Sequence, residues 1–478
     1  MRATEGKRGS LANARDKLRN LTYSEFNQRL PRRPDYRAPR NDKKIFMSNY
    51  IINGGRKLHG TIKTNSAKNS AVAILCALPM IKGRTMLKDM PRIEEVNRII
   101  EILTSIGLKI NWSHGHTLVV VNDGKIELKS INRESYEKTR SAILLIGSLS
   151  SVFKNFTLPK TSGCKLGKRT VNPHIIALNH LGIEVKKINN LFQVNRGQAK
   201  GSNFTMYESG DTATENAILA AVRLPGKTEI NLASPNYMVQ DLCYFLVKAG
   251  AKIKGIGTTK LKITGVKKLK PIKYSIMPDP IEAMAFISIA ITTASRLTIT
   301  DCPVEFLSLE LEKLRVMGQT MKISRPHKST NGQFALVNLE IIPSKLNALP
   351  DKIYGRPFPG LNIDNLPLFL PILTQAHGQT LVHDWVYENR AVYYTELNKL
   401  GADVRLHDPH RVTVTGPTKL KPAEIICPPA LRPAINLMIC MLAAKGKSML
   451  YNSYAIDRGY ENIYERLNQL GANIKKTD

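Results

Sequence analysis

The phrase ELNKLGADV at residues 396–404 returns as RLNQLGANI at residues 466–474. In both copies, apolar residues at helical spacing lead to a glycine, and a short β-type run follows it. Glycine readily takes the left-handed conformation that ends a helix. The phrase therefore predicts a helix, a tight turn and a strand in each place.

Four more copies of this phrase precede these two in the chain. They read EILTSIGLKI (101–110), ALNHLGIEV (177–185), FLVKAGAKI (245–253) and KLRVMGQTMKI (313–323). The six glycines are Gly107, Gly182, Gly250, Gly318, Gly401 and Gly471. Strand-like runs precede the helices, among them TIKTNSAK, TLVVV, RLTITDC and KSMLYNS. Six copies of one helix-and-strand phrase predict a repeated α/β architecture. Two domains of three units each would account for the length of the chain.

The composition fits a globular protein in a reducing cytoplasm. Of 478 residues, 42% are hydrophobic. The chain has no run of 18 apolar residues, so neither a membrane span nor a secretory leader is expected. The six cysteines form no CxxC pair, and no Cys, His or acidic cluster has metal-ligand spacing, so no metal site is expected. Cys76, Cys243 and Cys440 lie in apolar runs, which predicts reduced core residues.

The net charge of +32 indicates an anionic partner: nucleic acid, an acidic surface or a phosphorylated small molecule. The chain has no RNP motif, zinc finger or Arg/Gly tract. Much of the excess is lysine at strand ends and loops, a pattern typical of solvated faces. The sequence therefore does not favour nucleic-acid binding as the main role.

Residues 1–46 differ from the rest of the chain. They carry 13 Lys and Arg against 5 Asp and Glu, with almost no apolar periodicity, which predicts a disordered basic N-terminal arm. A transit peptide is disfavoured by these acidic residues. A mis-assigned start, with Met47 as the true first residue, is the other interpretation.

One cysteine has a setting that suits chemistry. The stretch TSGCKLGKR (161–169) places Cys164 beside Lys165, Lys168 and Arg169. Neighbouring cations favour the thiolate and attract phosphorylated substrates, and flanking glycines let the loop move. The alternative is a basic surface loop that happens to contain a cysteine.

Other charged residues occur beside turns or at predicted element ends. They are Lys68 and Asn69 in SAKNSA, Arg140 in EKTRSA, Arg390 in VYENRA (386–391), Arg432 in ALRPA, and Asp457 and Arg458 in IDRGYE. Each arginine alone fits a structural ion pair, but together they outnumber the local acids, which favours an anionic ligand. Asp364 in PGLNIDNLP is either a helix N-cap or a general base.

Taken together, SAKNSA, KTRSA, GCKLGKR, ATENAILAAV (213–222), VYENRA, LRPA and IDRGYENI resemble the enolpyruvyl transferases, in the family's order. The resemblance runs from about Tyr50 to Ile474 and is strongest to the branch that acts on UDP-N-acetylglucosamine in peptidoglycan synthesis. It implies two similar domains, each an inside-out α/β barrel of three βαβαββ units. Residues 47–67 and 279–478 would form domain I, and residues 68–278 domain II, with the cysteine loop as a lid.

The resemblance also implies the reaction and the site. Enolpyruvate would pass from phosphoenolpyruvate to the 3-hydroxyl of the sugar, with release of phosphate and without a cofactor. The implied catalytic residues are Cys164, Asp364, Lys68 and Arg458, and the implied substrate-binding residues are Asn69, Arg140, Arg169, Val386, Arg390 and Arg432. Cys164 would protonate the methylene carbon, and Asp364 would orient or deprotonate the hydroxyl. The expected partners are phosphoenolpyruvate and a nucleotide sugar, in a monomer or weak oligomer.

The chain departs from the family pattern at three informative places. Ala430 stands where an aspartate is usual, Asn172 ends an Arg-Thr-Val-Asn run in place of Arg-Pro-Val-Asp, and Pro280 replaces an arginine. The alternatives left open are a transferase with another nucleotide or phosphosugar acceptor, a catalytically silent paralogue, and an RNA-binding protein on the same scaffold.

Overall fold

The computed structural model describes residues 48–161 and 170–477. The first half of its strands are, in chain order, β1 (Asn49–Gly54), β2 (His59–Lys63), β3 (Gly83–Lys88), β4 (Lys109–Trp112), β5 (Leu118–Asn122), β6 (Asn155–Pro159), β7 (Glu184–Ile188), β8 (Leu191–Asn195), β9 (Asn203–Thr205), β10 (Lys227–Asn231), β11 (Lys252–Lys254) and β12 (Lys260–Thr264). The second half are β13 (Lys273–Ser275), β14 (Arg296–Cys302), β15 (Thr320–Ile323), β16 (His327–Lys328), β17 (Ala335–Ile342), β18 (Ile353–Tyr354), β19 (Gly378–His383), β20 (Asp403–Asp408), β21 (Arg411–Gly416), β22 (Glu424–Ile426), β23 (Gly446–Tyr451) and β24 (Ile474–Thr477).

Helices connect these strands. The α-helices in the described ranges are α1 (Lys68–Ala77), α2 (Glu94–Ser105), α3 (Arg133–Lys138), α4 (Leu145–Leu149), α5 (Asn172–His180), α6 (Asp211–Ala221), α7 (Tyr237–Lys248), α8 (Pro280–Thr292), α9 (Ser308–Val316), α10 (Phe369–Leu373), α11 (Leu431–Ala443), α12 (Tyr454–Asp457) and α13 (Ile463–Gln469). Shorter 3₁₀ segments include Arg140–Leu144 and Ala391–Leu400. The predicted mixed α/β class is confirmed.

The repeated phrase folds as its sequence predicts, with one difference. Gly401 has φ 81° and Gly471 has φ 98°, and the other four glycines of the phrase also have positive φ. Each is followed by a strand at the edge of a sheet. The helix before Gly401 is a 3₁₀-helix, Ala391–Leu400, and not an α-helix. Its run of β-branched and aromatic residues has weak α-helix propensity, which accounts for the difference.

One sheet plan recurs through the fold. Within the described parts of the chain the strands form six sheets, and five of them contain one parallel pair followed by two antiparallel pairs. Residues 203–264 give the unit in its simplest form: β9, α6, β10, α7, β11 and β12, a βαβαββ order. β24 pairs with β1, so the last unit completes its sheet with the first described strand.

The sheets divide the chain into two sets. β1 and β2 pair only with strands between residues 296 and 477, whereas strands between residues 83 and 275 pair among themselves. The connections between the sets lie side by side: the Ala67 amide donates to the Met277 carbonyl at 2.7 Å, and Ser66 forms a bridge with Pro278. The division into domains I and II stays a prediction.

The core is formed by apolar helices packed against the sheets. α8 is buried at every residue, as its nearly uninterrupted apolar sequence requires. Cys76, Cys243 and Cys440 are buried thiols, as predicted, and burial raises the pKa of each. None of the helices in the described ranges is long and apolar enough to cross a membrane.

Candidate active site

Lys68 begins α1, and its ammonium group binds a carboxylate. Its Nζ lies 2.7 Å from Oε2 of Glu95 on α2, and both side chains are largely shielded from solvent. Burial opposes ionisation of Glu95, but the nearby charges of Lys68 and Arg458 outweigh it and lower the pKa of this carboxyl. Glu95 therefore remains anionic at neutral pH between these two cations.

Arg140 precedes a residue that contacts the same carboxylate. The neighbouring Ser141 hydroxyl donates to Oε1 of Glu95 at 3.2 Å. Nη2 of Arg140 donates to the carbonyl of Thr170 at 3.0 Å. Thr170 follows directly on the predicted cysteine loop, so Arg140 connects the Lys68 region with the base of that loop.

Asp364 lies between two arginines that come from different elements. Its Oδ1 is 3.6 Å from Nη1 of Arg390 and 3.7 Å from Nε of Arg432. Arg390 opens the 3₁₀ segment Ala391–Leu400, and Arg432 lies in the first turn of α11. The Asp364 side chain is 26% exposed. A carboxylate that is held by two cations and still reaches solvent is suited to receive a hydroxyl group.

Arg390 itself is almost completely buried and has a second carboxylate partner. Its Nε and Nη2 donate to the two oxygens of Asp384 at 2.5 and 2.9 Å, and Nη2 also donates to the carbonyl of Ile363. Its guanidinium stacks 4.1 Å from the Tyr387 ring centroid. Charges of Tyr394 and Asp384 overcome burial and raise the pKa of Arg390. Arg390 therefore has a structural ion pair, and its predicted contact with an anionic ligand stays a prediction.

Arg432 faces residues from the other set of sheets. Its Nη1 donates to the Tyr460 hydroxyl at 2.9 Å. Burial opposes the cation, but Tyr460, Asp364 and Asp279 outweigh it and raise the pKa of Arg432. Arg432 also lines a pocket with Lys68, Asn69 and Asp279. The pocket thus combines residues of α1 with residues of α11.

Three helices contribute polar groups to this side of the site: Asn69 on α1, Tyr237 on α7 and Asp211 on α6. Nδ2 of Asn69 donates to the Tyr237 hydroxyl at 3.1 Å. Burial, then Asp279 and Asp364, raise the pKa of Tyr237 well above its ordinary value. Burial raises the pKa of Asp211, and Asp364 adds to the effect. The negative charge of Asp364 therefore acts on side chains at the starts of α7 and α6.

The structure therefore brings most of the predicted site residues into one region. Lys68, Asn69 and Arg432 line one pocket, while Asp364 and Arg390 join it through Arg432. The charge of Arg458 acts on Glu95, and Ser141, the residue after Arg140, donates a hydrogen bond to it. Val386 is 37% exposed, and its predicted contact with substrate stays a prediction. Cys164 and Arg169 lie outside the residues that the structure describes, as does the N-terminal arm.

Sequence reasoning missed several acids and tyrosines of this region, namely Glu95, Asp279, Asp384, Tyr237 and Tyr460. Asp279 carried a readable signal, because it precedes a proline at a helix start and caps the Ile281 amide at 2.8 Å. Ala430, in place of the usual aspartate, packs with Tyr387 in a small apolar cluster. On this side of the site, Asp279, Glu282 and Glu461 line the pocket, and Asp364 contacts Arg432.

Comparison with known proteins agrees with this architecture. The family model for EPSP synthase (3-phosphoshikimate 1-carboxyvinyltransferase) matches residues 52–467. The chain belongs to this family of enolpyruvyl transferases. Its fold is shared with the enolpyruvyl transferase NikO from Streptomyces tendae, at a TM-score of 0.78 and 21% identity over 90% of this chain and 99% of that one. EPSP synthase from Acinetobacter baumannii gives a TM-score of 0.71 and 17% identity, over 90% of this chain and all of the other.

Sequence relatives of this enolpyruvyl transferase carry a more specific name. A UDP-N-acetylglucosamine 1-carboxyvinyltransferase from Porphyromonas gingivalis is 32% identical over 438 residues, which cover 90% of this chain and 100% of the relative. One from Bradyrhizobium diazoefficiens is 33% identical over 434 residues, covering 89% and 97%. Enolpyruvyl transfer is therefore the activity of the family to which the chain belongs.

Proposed function

We propose that this enolpyruvyl transferase moves the enolpyruvyl group of phosphoenolpyruvate to the 3-hydroxyl of UDP-N-acetylglucosamine, the first committed step of peptidoglycan synthesis. The sugar oxygen attacks the central carbon of phosphoenolpyruvate as the methylene carbon takes up a proton. The methyl group of this tetrahedral intermediate then returns a proton, and the carbon–oxygen bond to phosphate breaks. The products are the enol ether and inorganic phosphate.

The cations of the site support an anionic donor. Phosphoenolpyruvate carries a phosphate and a carboxylate, and Lys68, Arg140, Arg432 and Arg458 would supply donors suited to both groups. Arg169 would add to this set. Charge that develops in the intermediate is stabilised best by cations already fixed in place. The Glu95 and Tyr460 contacts hold two of these cations before substrate arrives.

The observation that carries the proposal is Asp364 held between Arg390 and Arg432. This carboxylate is positioned to accept the hydrogen bond of the acceptor hydroxyl and to remove its proton. Asp384 binds Nε and Nη2 of Arg390, which leaves Nη1 to position Asp364. Arg432 contacts Asp364 on one side and lines the pocket on the other, which would align the hydroxyl with the donor.

Three further residues have roles that come from the family resemblance. Cys164 would protonate the methylene carbon, Asn69 would hold the sugar, and Val386 would contact the acceptor. A thiol that donates a proton must arrive protonated, whereas neighbouring lysines favour the thiolate. Closure of the cysteine loop and loss of water would resolve this conflict.

Phosphate release from phosphoenolpyruvate tests the proposal. The purified full chain is assayed with UDP-N-acetylglucosamine, with shikimate 3-phosphate and with no acceptor. We expect phosphate release only with UDP-N-acetylglucosamine, and an enol ether on its sugar by mass spectrometry. Turnover with shikimate 3-phosphate alone would refute the proposed acceptor but keep enolpyruvyl transfer.

A different nucleotide or phosphosugar acceptor is the second candidate. The observation that favours it is Ala430, which is 2% exposed in an apolar cluster where the family usually has a carboxylate. A wider acceptor panel in the same assay separates the two candidates. Absence of phosphate release with every acceptor would instead favour a silent paralogue or an RNA-binding protein.

A further inference from the structure

The outer face of the sheet β11-β12-β10-β9 is unusually rich in lysine. Residues alternate along its strands, so Phe204, Ile230, Leu261 and Ile263 point to the core. The outward positions include five exposed lysines: Lys227, Lys252, Lys254, Lys260 and Lys262. We call these five residues the lysine face. Its remaining outward positions are Asn203, Thr205, Glu229, Asn231 and Thr264.

The charges of the lysine face are poorly neutralised. Glu229 lies 2.8 Å from Nζ of Lys260 and 3.5 Å from Nζ of Lys262. Within the described residues no ion pair involves Lys227, Lys252 or Lys254. Lys254 even stands directly opposite Lys262 in the antiparallel register. Like charges opposite each other destabilise a sheet, so this arrangement does not serve folding.

More lysines border this face. Lys267, Lys268 and Lys270 are exposed on the segment that leaves β12. The Lys270 amide donates to the Ala249 carbonyl, close to the start of β11. Strands in a sheet lie about 4.8 Å apart, so these ammonium groups act as one charged surface within the Debye length of about 10 Å at 0.1 M salt.

We propose that the lysine face docks on an anionic membrane surface. The partner must be anionic by charge complementarity, which excludes the basic N-terminal arm as the occupant. No arginine or aromatic residue stands at the outward positions of these strands, although single-stranded RNA is bound largely through such stacking groups. Lysines on flexible stems instead suit a fluid layer of anionic headgroups, which needs no fixed geometry.

Two other sheets carry more mixed outer faces. The outer face of β22-β23-β1-β24 combines Glu424 and Lys447 with apolar residues such as Ile426, which is 73% exposed. On the sheet of β14 and β17, Arg296 pairs with Glu340 at 2.7 Å. The outer face of β13-β3-β5-β4 is also basic, with Arg84, Lys88, Lys109 and Lys273, so the control lysines are taken from the two mixed sheets.

Vesicle sedimentation tests this proposal independently of enzyme activity. The full chain is mixed with vesicles of phosphatidylcholine alone or with about a third phosphatidylglycerol, at low and high salt. One variant carries Lys227→Ser, Lys252→Ser and Lys254→Ser. The control variant loses the same charge from exposed lysines on other sheets, by Lys322→Ser, Lys447→Ser and Lys475→Ser. Thermal unfolding of both variants checks that they fold.

We expect sedimentation with the anionic vesicles only, and its loss at high salt. The lysine-face variant should bind about a hundredfold more weakly, at roughly fivefold per lysine, while the control variant changes by less than about fivefold. Equal weakening of the two variants, or no sedimentation of the parent chain, would overturn the proposal. Retention of an RNA oligonucleotide that only the lysine-face variant loses would also overturn it, by assigning the face to nucleic acid.

Discussion

The guanidinium of Arg390 and the carboxylate of Asp384 form a two-pronged ion pair in which both side chains are only 1% exposed. A bidentate pair fixes the plane of the guanidinium as well as its position. Because Nη1 of the same group lies 3.6 Å from Asp364, the buried pair also fixes one side of the candidate active site.

Asp384→Asn should destabilise the fold strongly. Removing one partner of a buried ion pair leaves the other charge uncompensated, which costs about 3–5 kcal/mol. Urea unfolding followed by circular dichroism measures the loss. Asp408→Asn is the control, because Asp408 pairs with Arg411 at the surface and its loss should cost far less than that of Asp384. Similar losses in the two variants would contradict a dominant role for burial.

Asp364→Asn should lower turnover with little effect on donor binding. The amide cannot take the proton of the acceptor hydroxyl, so kcat should fall by about 10²–10⁴-fold. KM for phosphoenolpyruvate should change by only a few fold, as measured by phosphate release. Asp351→Asn, at an exposed position, is the control and should retain full activity. An Asp364→Asn enzyme with normal kcat would show that this carboxylate is not the base.

Glu95→Gln should change how stability depends on pH. Lys68 and Arg458 outweigh burial and hold the pKa of Glu95 below 4.5 in the folded state. The unfolded chain therefore binds more protons near this pH, and the stability that Glu95 contributes is present above pH 4.5 and lost as pH falls through the folded pKa. In urea unfolding, the gap between parent and variant should be wide at pH 7 and close on acidification. A constant gap would reject the ionised Lys68–Glu95 pair.

Asp241 should affect the pH dependence of stability in the opposite direction to Glu95. Burial raises the pKa of Asp241 to about 7, although hydrogen bonds from Tyr274 and Met277 oppose the shift. The folded state then binds more protons than the unfolded state between about pH 4 and pH 7, so stability falls as pH rises through this window. Asp241→Asn should remove this component. The parent chain should lose stability relative to the variant between pH 4 and pH 8, and parallel curves would show that Asp241 is ionised throughout.

How well the sequence predicts this protein depends on how local each signal is. The turn at Gly401 is encoded within a few residues, because a helix end and a left-handed glycine are local properties. The same holds for the burial of Cys440 in its apolar run. The 3₁₀ form of Ala391–Leu400 was not predicted, since apolar spacing alone does not distinguish it from an α-helix.

Sequence motifs predict individual residues of the candidate site, but they do not predict which residues these contact. Asp364 and Arg432 were identified singly, but only the fold brings Nε of Arg432 to 3.7 Å from Asp364. Glu95 and Lys68 are 27 residues apart, and no periodic pattern links them. Arg390 has its partner only six positions away, yet that contact depends on a turn whose path the sequence does not reveal.

The pairing of β24 with β1 brings the first and last described strands into one sheet, where β24 hydrogen-bonds along residues 49–52. Strand pairing therefore does not require the units to follow one another in the present order along the chain. A circularly permuted chain, linked from end to end and opened at the exposed turn Asn189–Asn190, would contain every strand pair of the original.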